Sequence, residues 1–280
     1  IMIGRIIASA QDGAISLLNY ADRINQLPLG VIGIAIGVVL LPELSRALKG
    51  ERFDEADHLQ NRSMEFALAL TLPAAIAMLV VPVPIVNILY ERGAFTSETT
   101  ALTASALAAF ASGLPAYVLI KVFQPAFFAR EDMKTPLWFS MATVAVNVVL
   151  SFVLFGRYGH VAIALATSLS AWVNALLLGI TLWSRSHYRP DAKNLRKTLM
   201  ILVSAAAMGA FLYITGGLLA AFLSSPSTLT RVVSTLGLLL GAFVLYMAVV
   251  ITTGGLDWQE LRGAFKRRRR DSNEAPPSEI

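Results

Sequence analysis

Two adjacent ionisable residues, Asp22 and Arg23, stand inside the run "YADRINQLPLGVIGIAIG", residues 20–37, whose second half is apolar enough to cross a membrane. A guanidinium presents its donors in a planar fork that grips phosphate or carboxylate in bidentate fashion. At helical spacing Ser16, Asn19, Arg23, Gln26, Gly30, Gly33 and Gly37 recur every three or four residues and share one stripe. Leu29, Val31, Ile32, Ile34, Ile36 and Val38 fill the other faces. The pattern predicts a helix with an apolar back turned to lipid and a polar, then glycine-lined, front turned to protein or water. Gly33 and Gly37 form a GxxxG, the spacing that permits close helix approach. Pro28 cannot donate to the carbonyl of Ile24, which predicts a kink where the polar half meets the glycine half. Arg23 lies about ten residues from the outer end at Gly13, or roughly 15 Å of rise. A charge at that depth costs about 2.5–3.5 kcal/mol on insertion scales. Either Asp22 and Arg23 sit in buried ion pairs that fix helix packing, or Arg23 lines a hydrated cavity for an anionic substrate. Neighbours in sequence do not face each other on a helix, so Asp22 is not the obvious partner of Arg23 within this span.

Lys121 repeats the theme on another span. Gly113, Tyr117, Lys121 and Gln124 share a face by steps of four, four and three, and Pro125 follows as a second kink. Lys121 is about seven residues from Phe128, roughly 10 Å, so its ammonium can also snorkel to the interface. Asn147 and Ser151 lie one turn apart and Thr167 is on the next span. Three neutral oxygens suit a monovalent cation weakly, but such residues more commonly bond helix to helix, and no metal is expected. His58, His160 and His187 fall near loops, and "HYRPD" at His187–Asp191 lacks the membrane depth an acyltransferase motif would need. No covalent chemistry and no cofactor are expected. The embedded charges read from the sequence, Asp22, Arg23 and Lys121, are net positive and favour an anionic cargo.

The elements that must position these residues follow from composition. The chain has 280 residues, 56% hydrophobic and 15% charged, with a mean hydropathy of +0.64. A soluble domain cannot hide that much apolar surface, so the class is all-α, a polytopic membrane helix bundle. A span needs roughly 20 apolar residues, and seven stretches qualify: Leu17–Leu41, Met64–Val83, Ala101–Phe128, Leu137–Phe155, Val161–Trp183, Thr198–Leu223 and Val232–Thr252. Ile1–Ala10 reads as the end of a helix begun earlier, in a chain that starts inside a larger protein. Thr135-Pro136 reads as an N-cap with proline at the first helical position, and Ser97-Glu98 as a cap with an acidic first turn. Trp138, Trp183, Tyr90, Tyr158 and Tyr188 fall at span ends, where amphipathic rings prefer the interface. Asp54–Arg62 runs into Met64–Val83 without a break, as an interfacial start to that helix.

Orientation follows from the basic residues. One set of connections holds Arg46, Lys49, Arg52, Arg62, Arg130, Lys134, Arg185, Arg189, Lys193, Arg196 and Lys197, with Arg262 and Lys266 to Arg270 in the C-terminal segment. The opposite loops hold only Arg92, Arg157 and Arg231. The positive-inside rule puts the first set, and the C-terminus, in the cytoplasm. The basic cluster 266–270 is a topological anchor that also suits anionic membrane lipids, and the stretch after it reads as disorder. A pI near 9.6 does not point to nucleic acid, because the basic residues are scattered between apolar runs. With no cysteine there is no disulfide framework or thiolate chemistry.

The runs "YADRINQLPLGVIGIAIGVVLLPELSR", "GAFTS" and "KVFQPAFFAREDMKTP" resemble the C-terminal half of the MurJ (MviN) lipid II flippase family of the MOP superfamily. The resemblance is close over about Gly13–Arg185, looser over Lys193–Thr252, and absent in the tail. It implies fourteen helices in two six-helix lobes plus two, of which this chain supplies the end of helix seven and helices eight to fourteen. The implied units are 1–12, the end of a truncated helix; 13–186, the C-terminal lobe; 193–252, two helices lining a groove for a polyprenyl tail; and 257–280, a basic cytoplasmic tail. It implies a transporter of a bacterial inner membrane rather than an enzyme, moving lipid II by alternating access together with an N-terminal lobe missing from this chain. The Asp-Arg of "YADR" maps onto Asp22 and Arg23, the family's arginine there belonging to a cationic cavity for pyrophosphate; Lys121 and Pro125 match the family's "KVLxPxFY" pattern, and Asn19, Gln26, Lys121 and Gln124 are the further candidate substrate-binding residues. Many members carry "ELP" where this sequence has "QLP", so Gln26 stands where a carboxylate often does. A multidrug or cation antiporter of the same superfamily, or a membrane enzyme handling polyprenyl pyrophosphate, are the alternatives. The first calls for membrane carboxylates and the second for clustered Asp, Glu or His at one interface.

Overall fold

A computed structural model describes residues 13–186, 188, 192–225 and 227–255, with the backbone alone at 34–39 and 192–193. The predicted stub 1–12, the tail 257–280 and most of "HYRPD" lie outside the described residues. The elements are α1 (Ala14–Lys49), α2 (Phe53–Val80), α3 (Pro82–Tyr90), α4 (Ser97–Ala111), α5 (Leu114–Phe128), α6 (Lys134–Tyr158), α7 (His160–Ser184), α8 (Ala192–Leu218), the short α9 (Ala220–Leu223) and α10 (Thr228–Thr252). Among the described residues six stretches are long and apolar enough to cross a membrane, α4 and α5 together forming one of them. The seventh predicted span, Leu17–Leu41, falls within the 36-residue α1. The chain is an all-α bundle built for a bilayer.

The central helix is α1, enclosed by α2, α4 and α5. On one side α7 packs on α4 and α5 and carries α6 outside it, while on the other α8 packs on α2 and carries α10. A large buried cluster joins Leu18, Ala21 and Ile24 of α1 to Leu72, Leu107, Met208, Leu212 and Tyr246. A second joins Ile32, Leu40 and Leu44 to Val122, Phe127, Leu178 and Leu182. Of the apolar residues expected to face lipid, Ile32 is buried and Leu29 half-buried against protein, which corrects the expectation on that side of α1, whereas Val31 is exposed. Inside a bilayer such burial is favoured by close packing and dispersion and not by removal from water.

Two predicted spans are broken just ahead of prolines. Met64–Val83 divides at Val81, where Pro82 and Pro84 open α3, because a proline at N1 fits a helix start and not its interior. Ala101–Phe128 divides at Ser112-Gly113 before Pro115. A break inside the bilayer exposes carbonyls that must be satisfied by protein. Here α7 satisfies them: Ser168 Oγ donates to the Ala109 carbonyl at 2.7 Å and Trp172 Nε1 donates to the Ser112 carbonyl at 2.9 Å. Gly113 makes this possible, since a Cβ there would stand 2.7 Å from Ser168 Cα. By contrast α1 runs through Pro28 and Pro42, and α5 through Pro125, without interruption.

Several local expectations shift. The cap before α4 is Thr96, whose Oγ1 accepts from the Thr99 amide, so Ser97 is already helical, with Glu98 in the first turn. Thr135 does not cap α6; it lies inside the first turn and is itself held by Asp132, which accepts from its amide at 3.1 Å and its hydroxyl at 2.7 Å. Trp138, Trp183 and Tyr158 are exposed at helix ends, but Tyr188 is buried, its hydroxyl donating to Asn61 Oδ1 at 2.8 Å. Asn194 donates to the same oxygen. The predicted span Thr198–Leu223 begins earlier, at Ala192, and ends in two pieces, α8 and α9.

Candidate functional site

The stripe predicted on α1 is its open face. Ser16, Asn19, Arg23, Gln26 and Gly30 are exposed, whereas Leu17, Ala21, Ile24 and Ile32 on the opposite side are buried. Asp22 is half-buried on the shoulder between the two. Gln26 Nε2 donates to Asp22 Oδ2 at 2.5 Å, one turn along, and the Asp22 carboxylate is within electrostatic reach of Tyr117. Arg23, rotated by one residue, points into the open, and among the described residues no ion pair holds it. Asn25, by contrast, is buried, so the polar character of "RINQ" is divided between both sides of the helix.

Lys121 joins this face from α5. It is exposed, and its stem lies against α1 at Gly33: a Cβ on Gly33 would stand 2.7 Å from Lys121 Cδ and 2.9 Å from Cε. Gly33 follows Arg23 by ten residues, roughly 15 Å of rise along α1, and both Arg23 and Lys121 are exposed. Gln124 is half-buried beside it. The rest of the predicted α5 face does not join them. Gly113 is buried against Ser168, and Tyr117 donates its hydroxyl to the Thr167 carbonyl at 3.2 Å, so both belong to the contact with α7. Of the predicted helix-packing residues, Gly33 makes its close contact with Lys121, Gly30 has open space before it, and the surroundings of Gly37 lie outside the described residues.

The neutral oxygens do converge, between α6 and α7. Asn147 Nδ2 donates to Thr167 Oγ1 at 3.2 Å and to Ser170 Oγ at 3.3 Å, and Thr167 Oγ1 donates to the Ile163 carbonyl. Ser151 is buried on α6, one turn from Asn147. Asn147 turns a donor toward these hydroxyls, the polarity of an interhelical hydrogen bond rather than of a cation cage. His160 is likewise structural, with its Nε2 3.0 Å from the Leu102 carbonyl.

Two further pairs of charges are embedded beyond the three read from the sequence. Lys197 Nζ meets Glu65 at 3.1 Å between α8 and α2, both nearly buried, and Arg231 meets Glu91 at 3.0 Å between α10 and the end of α3. Glu91 also accepts from Thr100 at 2.7 Å. Each pair is neutral, so the positive balance of Asp22, Arg23 and Lys121 is unchanged. Lys197 had the appearance of a loop cation. A carboxylate at the head of an apolar span, Glu65, was the available signal that it needed a buried partner. Next to Arg231 lies an open cavity of about 880 Å³ lined mainly by apolar residues of α2, α3, α8 and α9, among them Val81, Leu212, Ile214 and Leu223.

A family model described as lipid II flippase MurJ matches residues 1–249. A probable lipid II flippase MurJ of Rhizobium meliloti (strain 1021) is 49% identical over 268 residues, 95% of this chain and 50% of the relative. One from Rhizobium tropici is 47% identical over 270 residues, 96% of this chain and 51% of the relative. A solved structure titled lipid II flippase MurJ, inward closed conformation, superposes with a TM-score of 0.73 at 25% identity, covering 92% of this chain and 50% of that one. The chain spans about half the length of the relatives it matches.

Proposed function

Since this chain belongs to the lipid II flippase MurJ family, a family of transporters rather than enzymes, we propose that it forms the C-terminal part of a lipid II flippase whose head-group cavity is bounded by the open face of α1 and α5. The observation that carries the proposal is Arg23, exposed on a polar stripe with no ion pair among the described residues while its neighbour Asp22 is engaged by Gln26. A guanidinium presented to acyl chains would cost several kcal/mol. Ser16, Asn19 and Gln26 beside it make this face one that suits water and a second lobe, and not lipid. Arg23 would grip the pyrophosphate in bidentate fashion, Lys121 would add a point charge roughly a head-group length away, and Asn19, Gln26 and Gln124 would meet its polar sugars.

Cargo transfer then requires the N-terminal half to rock against this lobe, opening the cavity to one side of the membrane and then the other. The prolines of α1 and α5 and the broken α4–α5 span are where helices of this lobe could bend. The apolar cavity bordered by α8, α9 and α10 is of the right character for part of a polyprenyl chain. The setting is the bacterial inner membrane, with Lys49, Lys134 and the C-terminus on the cytoplasmic side. The test is Arg23→Ala in the complete protein. Membrane insertion is expected to be intact and cell-wall complementation abolished, with Arg23→Lys, which keeps charge but not the fork, in between. Normal growth of Arg23→Ala cells removes the cavity role.

A further inference from the structure

We propose that Gly33 is a positioning residue for Lys121: the missing side chain at Gly33 lets the lysine stem lie against α1 and present its ammonium on the same open face as Arg23. The inference rests on the reading of that face as the head-group cavity, but its first observable does not. A Cβ at Gly33 would meet Lys121 Cδ at 2.7 Å, Cε at 2.9 Å and Nζ at 3.8 Å. Carbon atoms in contact rest at about 3.5–4.0 Å, so the stem could not stay where it is. All the atoms involved belong to the mobile end of a lysine, and neither helix backbone would have to move. Gly33 lies in regular helix with no positive φ, so alanine is sterically acceptable to α1 and is the better helix former. The substitution should therefore move an ammonium and leave the fold alone. Gly30, on the same stripe one turn away, has nothing within 4 Å of its own Cβ and provides the control.

The contact also bears on whether Lys121 snorkels. A stem that lies against α1 at Gly33 approaches a neighbouring helix, a position that running along α5 toward Phe128 would not require. The glycine-lined half of the α1 stripe thus acquires a specific purpose: at Gly33 it is the groove in which the second cation rests.

The experiment uses the complete protein, with a water-soluble amine-acylating reagent whose labelling of Lys121 is followed by mass spectrometry, and with lipid II binding measured in parallel. Gly33→Ala should change the Lys121 labelling rate several-fold and weaken lipid II binding about tenfold, the scale of one charge-assisted contact, while Gly30→Ala leaves the labelling rate unchanged. Lys121→Met should weaken binding by a similar factor, and Gly33→Ala added to Lys121→Met should cost nothing more. An unchanged labelling rate in Gly33→Ala, or an equal loss in the Lys121→Met background, overturns the proposal. Altered labelling with unaltered lipid II binding upholds the positioning of Lys121 and instead overturns its place in the cavity.

Discussion

Arg23 and Asp22 are consecutive, yet their surroundings differ because a helix turns by about 100° per residue. That rotation carries Asp22 to the shoulder, where Gln26 engages it, and Arg23 to the open side. The glutamine matters here. At a position where many relatives are expected to carry glutamate, this chain uses a neutral donor, so Asp22 gains a partner in place of a second negative charge. Gln26→Glu would set two carboxylates one turn apart on this face, and weaker binding of lipid II is expected because added negative charge repels the pyrophosphate. Lys121 is the other residue-scale test. Lys121→Met in the complete protein should reduce transport while keeping expression and thermal stability, and unaltered transport would favour a purely interfacial ammonium.

At the scale of elements, how each helix end is held decides what a substitution costs. The α6–α7 hairpin is pinned at its open end by Asp132, which accepts from the hydroxyl and then the amide of Thr135 and is paired with Arg185 at 2.7 Å. These contacts hold the Asp132 carboxyl down to about 2 from its usual 3.8. A depressed carboxylate adds stability above its unfolded value and loses it as the pH falls from that value through the folded one. Wild type should therefore exceed Asp132→Asn in thermal stability at pH 6, and the difference should vanish between about pH 4 and pH 2. Gly113→Ala should be far more damaging than Gly30→Ala, by about 2–3 kcal/mol in unfolding experiments, because its Cβ meets the Ser168 backbone and separates α5 from α7. Lys197→Met should cost about 3 kcal/mol, since it strips the ammonium from a nearly buried Glu65, whereas an apolar replacement of both partners should recover most of the loss.

For the whole molecule, the arrangement around α1 has a clear polarity. The side carrying Leu17, Ala21 and Ile24 is buried against neighbouring helices, and the side carrying Asn19, Arg23 and Gln26 is exposed. Cysteines placed at positions 23 and 26 of the complete protein should be reached by water-soluble thiol reagents, from one side of the membrane or the other according to conformational state. Protection of both from both sides would place the stripe in dry packing. The Glu65–Lys197 pair fastens α8 to α2, and the Glu91–Arg231 pair fastens α10 to the end of α3.

What the sequence determined by itself was whatever depends on one helix at a time. Length and hydropathy marked out the apolar stretches, and 3.6-residue spacing put Asn19, Arg23, Gln26 and Gly30 on one face, because the period of a helix is independent of its neighbours. Which way that face turned was decided only by packing. The side of α1 with Leu17, Ala21, Ile24 and Ile32 is as apolar as a lipid-facing surface, and the close fit of neighbouring helices buries it. Contacts between helices distant in the chain were equally beyond reach of periodicity: Lys121 on Gly33, Trp172 on the broken α4–α5 backbone, Lys197 on Glu65 and the buried Tyr188. Each depends on two helices meeting at a particular height and rotation, a relation that spacing within either one does not contain.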